Sequence, residues 1–564
     1  MTMKRLYLLS VLVTVFTGCY ITYAAGSYGR IFWHMLDTQD LSAAWLMLGL
    51  LLFVALFYHS RYSQADWFIK ILLGLDSHRY IIATILFGVL CIGSLVVYSD
   101  TPLCMDEYAA VFQARVFAAG EMHGQFPIDI MDYCIPKGSQ NFFLMINPVD
   151  GSVISTYWPG FSLLLAPFAL LNIPWAFNPL ITVASLLLIR EVTYKLVPSK
   201  YSTGWALLFA LSSPVFLAYG ISYYSWSSHL FFNLLFVWLL TANTRSCFIL
   251  AGLVGGYAMI LHNPPPHILF ALPWIYWVWK RKGVNIVWMA VGYIPVVAIL
   301  GVGWTLYTQH LIRAGEGATA QVSSHLVSYA SPLQYLGELL HLPGYDMCKA
   351  RIGAISKLWL WGCPLIIPLA CWGAWRSRSV ELRLMALSAI FTFVGYLFIQ
   401  LDQGHGWGYR FFHSAWGVLP VLAAAAVCRE SAIGRLSYRW SAAIVLVALM
   451  SLFIMNGLRA KQITHFITAH LAQRPPMIGD HLRDGAKFSK QLVLHNGSGY
   501  YALDLVQNDP WLNGNTIILF APNQAHEKAL VDRFMPKGIL FGRNWYGATY
   551  VERSAEPNVV RPGE

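Results

Sequence analysis

Charge is what this sequence has least of. Only 12% of its 564 residues are Asp, Glu, Lys or Arg, against about 25% in an ordinary soluble domain. Hydrophobic residues make up 57% and the mean hydropathy is +0.53. That balance excludes a soluble globular protein. The nine cysteines include no CxxC pair and the seventeen histidines no HxxxH or HExxH pair, so no zinc site is expected. There is also no internal repeat, low-complexity tract or long linker.

What is present is a series of apolar runs, each near the ~20 residues needed to cross ~30 Å of hydrocarbon. The net charge of +11 sits mainly in short loops between those runs, the pattern of the positive-inside rule. A nucleic-acid binder would gather it on one soluble face, so nucleic acid is not expected as a partner. The reading is an α-helical polytopic membrane protein.

Lys4 and Arg5 open a run that resembles a signal sequence, with Phe16-Thr17-Gly18-Cys19 similar to a lipoprotein cleavage box. Because the run continues through Ala25, an uncleaved anchor is favoured. Spans are expected at residues 6–25, 41–59, 80–98, 175–197, 203–219, 225–242, 246–262, 265–280, 285–307, 358–375, 383–400, 411–428 and 440–457, thirteen in all. Arg61, Lys70 and Arg79, then Lys280-Arg281-Lys282, then Arg376, Arg378 and Arg383, mark inner turns. The N-terminus is then cytoplasmic, the C-terminus outside, and the host membrane the inner (cell) membrane.

Residues 1–457 thus form the membrane domain. Its first large outer loop, 99–174, begins with a helix from Asp106 to Gly120, with Tyr108, Val111, Phe112 and Ala119 on one face. It ends with a second short apolar helix near Tyr157-Trp158-Pro159-Gly160-Phe161. Both are expected in the interface, apolar side down. A second outer loop, 308–357, carries His310, Arg313, Glu316, His325, Glu338, His341 and Asp346. Residues 458–564 turn polar, with strand-like runs at 492–495, 516–520 and 538–541 and a helix at 525–534. They read as a small extracytoplasmic α/β domain. Gly497-Ser498-Gly499 lacks the strand–turn–helix setting of a hydrolase nucleophile. Cys104 and Cys134 flank the first outer loop and are candidates for a disulfide.

The expected spans are nearly free of ionisable residues, which transporters place near the midplane. Chargeable groups gather at outer span ends instead, pointing to interfacial chemistry. Asp106 and Glu107 are placed for general-base work on an acceptor hydroxyl; they are equally well placed as a helix N-cap and a dipole-complementing carboxylate. In Gln403-Gly404-His405-Gly406-Trp407-Gly408-Tyr409-Arg410-Phe411, Arg410 suits a phosphate held by paired N–H donors, or simple snorkelling. Tyr157 and Trp158 are either carrier or sugar contacts or interfacial anchors. His262, His267, His325, His341 and His405 are metal or proton-shuttle candidates, or hydrogen-bonded loop residues.

The acidic pair, then Ala114-Arg115 and Gly120, then Tyr157-Trp158-Pro159-Gly160-Phe161-Ser162-Leu163-Leu164-Leu165-Ala166-Pro167-Phe168, resembles the GT-C glycosyltransferases. The closer likeness is to their branch of protein O-mannosyltransferases and lipid A aminoarabinose transferases. It covers mainly residues 100–200. Gly406-Trp407-Gly408-Tyr409-Arg410-Phe411-Phe412 is similar to that branch's Gly-Pro-Arg-Tyr-Leu segment. The resemblance implies a GT-C fold and a sugar donor carried on a polyprenyl phosphate, used on the extracytoplasmic face for a glycan, lipid or protein acceptor. It implies Asp106 as the catalytic carboxylate with Glu107 its neighbour, and Arg410, with His405 beside it, as the phosphate holder. Tyr157, Trp158 and Arg115 are the matching substrate contacts. No certain cofactor follows, and a divalent metal stays open. The departures are the number of early spans, the loop 220–225 without a second acidic residue, and Tyr409 where relatives have Pro. An O-antigen-ligase-like transferase and a lipid-linked sugar flippase are the competing expectations.

Overall fold

The computed structural model describes residues 2–24, 30–58, 67–242, 244–316, 342–399, 403–478 and 488–553. Ala25, Arg61, His325, Glu338 and His341 lie outside the described residues.

Among the described residues seven helices are long and apolar enough to cross a membrane, and nine if two bent pairs each count as one span. The seven are Met3–Ala24, Ile31–Leu56, Arg79–Val96, Pro174–Leu196, Asn285–Ile312, Val380–Leu397 and Tyr438–Leu471. Several expected spans are shorter or broken helices. Those expected at 225–242 and 246–262 are Trp226–Leu240 and Arg245–Ile260. Those expected at 203–219 and 411–428 are the bent pairs, Ser202–Leu211 with Pro214–Gly220 at 66° and Arg410–Trp416 with Val418–Ala432 at 52°. The one expected at 358–375 is split between Tyr345–Leu360 and Ile366–Arg376.

Two of these breaks satisfy each other. Val215 N–H donates to the Trp361 carbonyl at 3.0 Å, and Cys363 N–H to Ser213 Oγ at 2.8 Å. Irregular backbone at membrane depth is stable only where protein supplies such partners. The pairing fixes Trp361 inside the bundle, where it will matter below.

The helix of the first outer loop spans Met105–Ala118. It does not lie on the interface with a polar side upward. Val111 and Cys104 join the membrane core, Ala110 and Ala114 pack on Phe161 and Leu165 of the Gly160–Leu170 helix, and Tyr108, Phe112 and Val116 join a third core. Ala119 falls outside the helix and is exposed. Gly120, at φ 81°, follows it as the expected stop.

That third core is shared with the C-terminal region. Strands β1 (Gly124–Gln125), β2 (Leu144–Ile146) and β3 (Ser152–Ser155) form a small antiparallel sheet in the outer loop. Strands β4 (Phe488–His495), β5 (Thr516–Phe520), β6 (Ile539–Asn544) and β7 (Gly547–Arg553) form a second sheet in the order β5-β4-β7-β6. The β4–β5 pair is parallel, connected over the sheet, and the helix Gln524–Phe534 follows β5. Leu492, Leu494, Leu519 and Leu530 meet Phe112, Phe126, Ile130 and Ile146 in one cluster. Tyr108 Oη donates to the Asn508 carbonyl at 2.7 Å, and Gln125 N–H to the Pro510 carbonyl at 2.8 Å. The C-terminal sheet therefore braces the loop 99–174.

Candidate active site

Asp106 sits at the second position of its helix, and Cys104 occupies the N-cap with no side-chain cap bond. The helix-cap role therefore does not fall to Asp106. Its carboxylate turns away to two partners from distant segments. Arg410 Nη1 donates to Oδ2 at 2.8 Å, and Tyr157 Oη donates to Oδ1. The Tyr157 ring stacks on His262, centroids 3.7 Å apart. Both members of the ion pair are mostly but not fully covered, with 14% of the Arg410 and 18% of the Asp106 side chain exposed.

Burial alone would raise the Asp106 carboxyl, but the Arg410 charge and the Tyr157 hydroxyl outweigh it and hold Asp106 below its ordinary value. Burial drives the Tyr157 phenol well above its usual value, and the neighbouring carboxylate adds to that. The His262 imidazole is lowered to about 4, by burial against the pull of Asp106. At neutral pH the site therefore holds one carboxylate, one guanidinium, a neutral phenol and a neutral imidazole.

The Gly-rich loop is shaped around Arg410. Gly406 has φ 140°, and a Cβ there would lie 2.9 Å from Arg410 Cδ. Gly408, at φ 60°, packs where a Cβ would meet Val215 at 2.8 Å and Trp361 at 3.1 Å. These positions need glycine for both conformation and space. Buried Gln403 stitches the loop, donating to the Gly408 carbonyl at 2.8 Å and accepting from Arg410 N–H at 3.3 Å. Arg410 keeps donors in reserve: among the described residues its guanidinium donates from Nη1 alone, and Nε is buried without a hydrogen-bond partner.

Glu107 is fully buried and faces away from this group. It accepts from Leu103 N–H at 2.6 Å, Tyr98 Oη at 2.8 Å and Tyr223 N–H at 3.0 Å. Burial pushes it up to about 8, against those three donors. Glu107 thus ties the start of the helix to the 98–103 and 223 segments, a positioning role.

A buried ion cluster stands behind the loop. Asp40 accepts from Lys357 Nζ at 2.7 Å and pairs with Arg459 at 2.8 Å, all three essentially inaccessible. Trp361 Nε1 donates to Asp40 at 2.7 Å, and the Trp361 and Trp407 rings lie 5.9 Å apart. Trp407 Nε1 donates to Tyr98 Oη at 3.3 Å, and Tyr98 reaches Glu107. This corrects the expectation of nearly charge-free spans. Asp40 and Arg459 were placed just beyond span ends at 41 and 457, but their helices run on, Ile31–Leu56 and Tyr438–Leu471.

The remaining sequence candidates fall elsewhere. Arg115 is nine residues past Asp106, half a turn out of phase on the helix, and is exposed. Trp158 packs over Gly301 and donates its backbone N–H to the His262 carbonyl at 3.0 Å, backing Tyr157 instead of entering the site. His405 turns to the C-terminal region, with Asp504 at 3.3 Å and the Tyr501 ring at 5.0 Å. His267 bonds Asn233 and Tyr293, each at 2.6 Å. His310 and Asp346 are exposed. Cys104 and Cys134 are both free thiols; Cys104 Sγ faces Tyr224 Oη at 3.2 Å, while Cys134 packs in the core shared with the C-terminal sheet. Among the described residues no three His, Cys, Asp or Glu side chains converge to hold a metal ion.

Two contributors escaped the sequence reading. His262 stood among five histidine candidates with nothing to single it out except Pro264-Pro265-Pro266 shortly after it. Tyr224, over which Arg410 lies at 5.7 Å, stands in the loop that lacks a second acidic residue.

No known protein family and no curated protein is matched by the sequence. Solved structures are matched in fold. The crystal structure of ArnT from Cupriavidus metallidurans bound to undecaprenyl phosphate superposes with a TM-score of 0.51 at 11% identity, covering 84% of this chain and 97% of that one. The same protein in the apo state gives 0.48 at 11% identity, over 84% and 98%. The Archaeoglobus fulgidus oligosaccharyltransferase, in complex with Zn and sulfate, gives 0.40 at 12% identity, over 67% and 53%. The chain is a multi-pass membrane protein with the GT-C fold and a small sheet region near its C-terminus.

Proposed function

We propose that this protein is a GT-C glycosyltransferase that moves a sugar from a polyprenyl phosphate to an envelope glycan, lipid or protein. The reading places the reaction on the extracytoplasmic face of the cell membrane, with the N-terminus cytoplasmic and residues 458–564 outside. The observation that carries it is the Asp106–Arg410 pair at 2.8 Å, a carboxylate and a guanidinium held together with Arg410 donors still unused. Its fold neighbour was captured with undecaprenyl phosphate, a ligand of the same chemistry.

The geometry supports the following roles. Arg410 holds the donor phosphate through its remaining N–H donors, a match of fork to oxyanion. Asp106 takes the proton of the acceptor hydroxyl. The acceptor oxygen bonds to the anomeric carbon as the bond from that carbon to the phosphate oxygen breaks. Polyprenyl phosphate leaves with the electron pair, its charge steadied by Arg410, and the anomeric centre inverts. Sharing Arg410 with the phosphate weakens its hold on Asp106 and makes the carboxylate a stronger base. Tyr157, backed by His262, keeps the other carboxylate oxygen fixed.

The transport reading has less support. The charge cluster around Asp40 is locked by Trp361, Arg459 and Lys357, and Arg190, near the end of Pro174–Leu196, is tied to Asp76 and Glu191, which suits structural ties. The test is reconstitution in proteoliposomes with undecaprenyl-phosphoryl sugars, beside mass analysis of envelope lipids and glycans with and without the protein. Sugar release from the carrier onto an acceptor is the expected result; carrier movement without transfer overturns the proposal.

A further inference from the structure

The three segments that meet at Asp106 and Arg410 each carry unpartnered polar atoms one step further inward. His413 and Ser414 follow Arg410 by three and four residues, Ser228 and His229 follow Tyr224 by four and five, and Asn263 follows His262 directly. Among the described residues, His413 Nδ1, Ser414 Oγ, Ser228 Oγ, Asn263 Oδ1 and both ring nitrogens of His229 are buried with no hydrogen-bond partner. His229 is 0% exposed.

These segments pack against one another. Asn233 Nδ2 donates to the Ser414 carbonyl at 2.9 Å, and the Trp226 ring lies 5.6 Å from His229 and 6.1 Å from Phe411. His229 also lies within electrostatic reach of His262 and His267.

The contrast with His267 is informative. One layer deeper, His267 spends both ring nitrogens, on Asn233 and Tyr293 at 2.6 Å each. That is how a structural histidine is satisfied in a packed interior. His229 spends neither. Buried donors and acceptors without partners, carried on segments that pack together, are costly and need an explanation, and hydroxyl groups of a ligand supply one. None of the five residues is a carboxylate, a lysine or an arginine, so a charged ligand group would find no counter-charge here.

We propose that His229, Asn263 and His413, with Ser228 and Ser414, form the subsite for an uncharged, hydroxyl-rich sugar on the donor. The inference rests on the donor reading above. Arg410 holds the phosphate at the mouth, and the sugar reaches inward to groups that both give and accept hydrogen bonds. An amino sugar or an acidic sugar is disfavoured, because Asp106 and Arg410 are already committed to the acceptor and the phosphate.

The experiment measures binding to the full-length protein in nanodiscs. The probes are bare undecaprenyl phosphate, the same carrier bearing glucose, mannose or galactose, and the carrier bearing aminoarabinose or galacturonate. At least one neutral sugar is expected to bind about tenfold tighter than the bare carrier, an effect of one or two net hydrogen bonds. The charged forms are expected to show no such gain. His229→Leu should erase the gain and leave bare-carrier affinity unchanged. Ser228→Ala and Asn263→Ala, which remove the unpartnered Ser228 Oγ and Asn263 Oδ1, should reduce the gain without lowering the unfolding temperature.

A sugar preference that survives all three variants overturns the subsite, as does a preference for a charged sugar or for none. Arg410→Ala tests the donor reading separately. If it leaves bare-carrier affinity intact while His229→Leu still erases the sugar gain, the phosphate assignment fails and the subsite stands.

Discussion

Arg410 donates from Nη1 to Asp106 Oδ2 at 2.8 Å, across 304 positions of sequence. The contact couples the proposed base to the proposed phosphate holder. Each constrains what the other does, and substitutions at the two should fail in different ways.

Asp106→Asn keeps the shape and removes the base. Sugar transfer should fall by about 10²–10⁴-fold, the usual worth of a positioned general base, while binding of undecaprenyl phosphate stays close to normal. Single-turnover transfer assays beside carrier titration read both quantities. Near-normal transfer by the variant means that Asp106 is not the base.

Arg410→Ala acts on the donor. Charge-assisted hydrogen bonds contribute about 1.5–3 kcal/mol, so carrier affinity should drop by about 10–100-fold. Arg410→Lys should recover only part of it, because a point charge cannot offer the paired donors of a guanidinium. Unchanged donor affinity in the alanine variant removes Arg410 from its phosphate role.

Tyr157→Phe should move the pH profile. The hydroxyl donates to Asp106 and lowers its pKa, so removing it raises that pKa. A base works only when deprotonated, and the acid limb of kcat against pH should therefore shift to higher pH. A limb that stays in place, or moves to lower pH, contradicts the assignment.

Glu107 should show itself in stability. Its carboxyl is raised from 4.5 to about 8 in the folded protein, so folding takes up a proton in that window. Its contribution to stability is then greatest at low pH, falls as pH rises from about 4.5 to about 8, and is flat above. Glu107→Gln should remove that slope. It should also cost about 1–3 kcal/mol, because its amide N–H groups must face donors already aimed at the carboxylate. Thermal unfolding in detergent across that pH range checks both.

Asp40→Asn leaves Lys357 and Arg459 buried without their shared anion. Breaking such a cluster costs about 3–5 kcal/mol, a large fall in unfolding temperature. Adding Lys357→Met removes one orphaned cation and should recover part of it. If Asp40→Asn leaves the unfolding temperature unchanged, the cluster does not hold these helices together.

Much of this architecture was legible locally. Apolar runs announced the helices, Gly120 the end of the Met105–Ala118 helix, and short apolar runs the strands β4, β5 and β6. Strand β7 was missed because it opens on Gly547 and Ala548 and ends in the charged Glu552 and Arg553, which leaves too short an apolar run to read as a strand. The ion cluster was missed because Asp40, Lys357 and Arg459 each lay at a presumed span border. Only longer helices bring them together.

The sequence by itself determined that the protein lives in a membrane and carries carboxylates at a span end, since hydrocarbon burial is written in runs of adjacent residues. It could not choose between a helix cap and a base at Asp106, because both roles ask for the same residue at the same place. Tertiary structure gave the cap position to Cys104 and brought Tyr157 and Arg410 to the carboxylate, which removes the cap role and supports the proposed one. Those partners come from segments 51 and 304 residues away, and no local pattern encodes a distance in space.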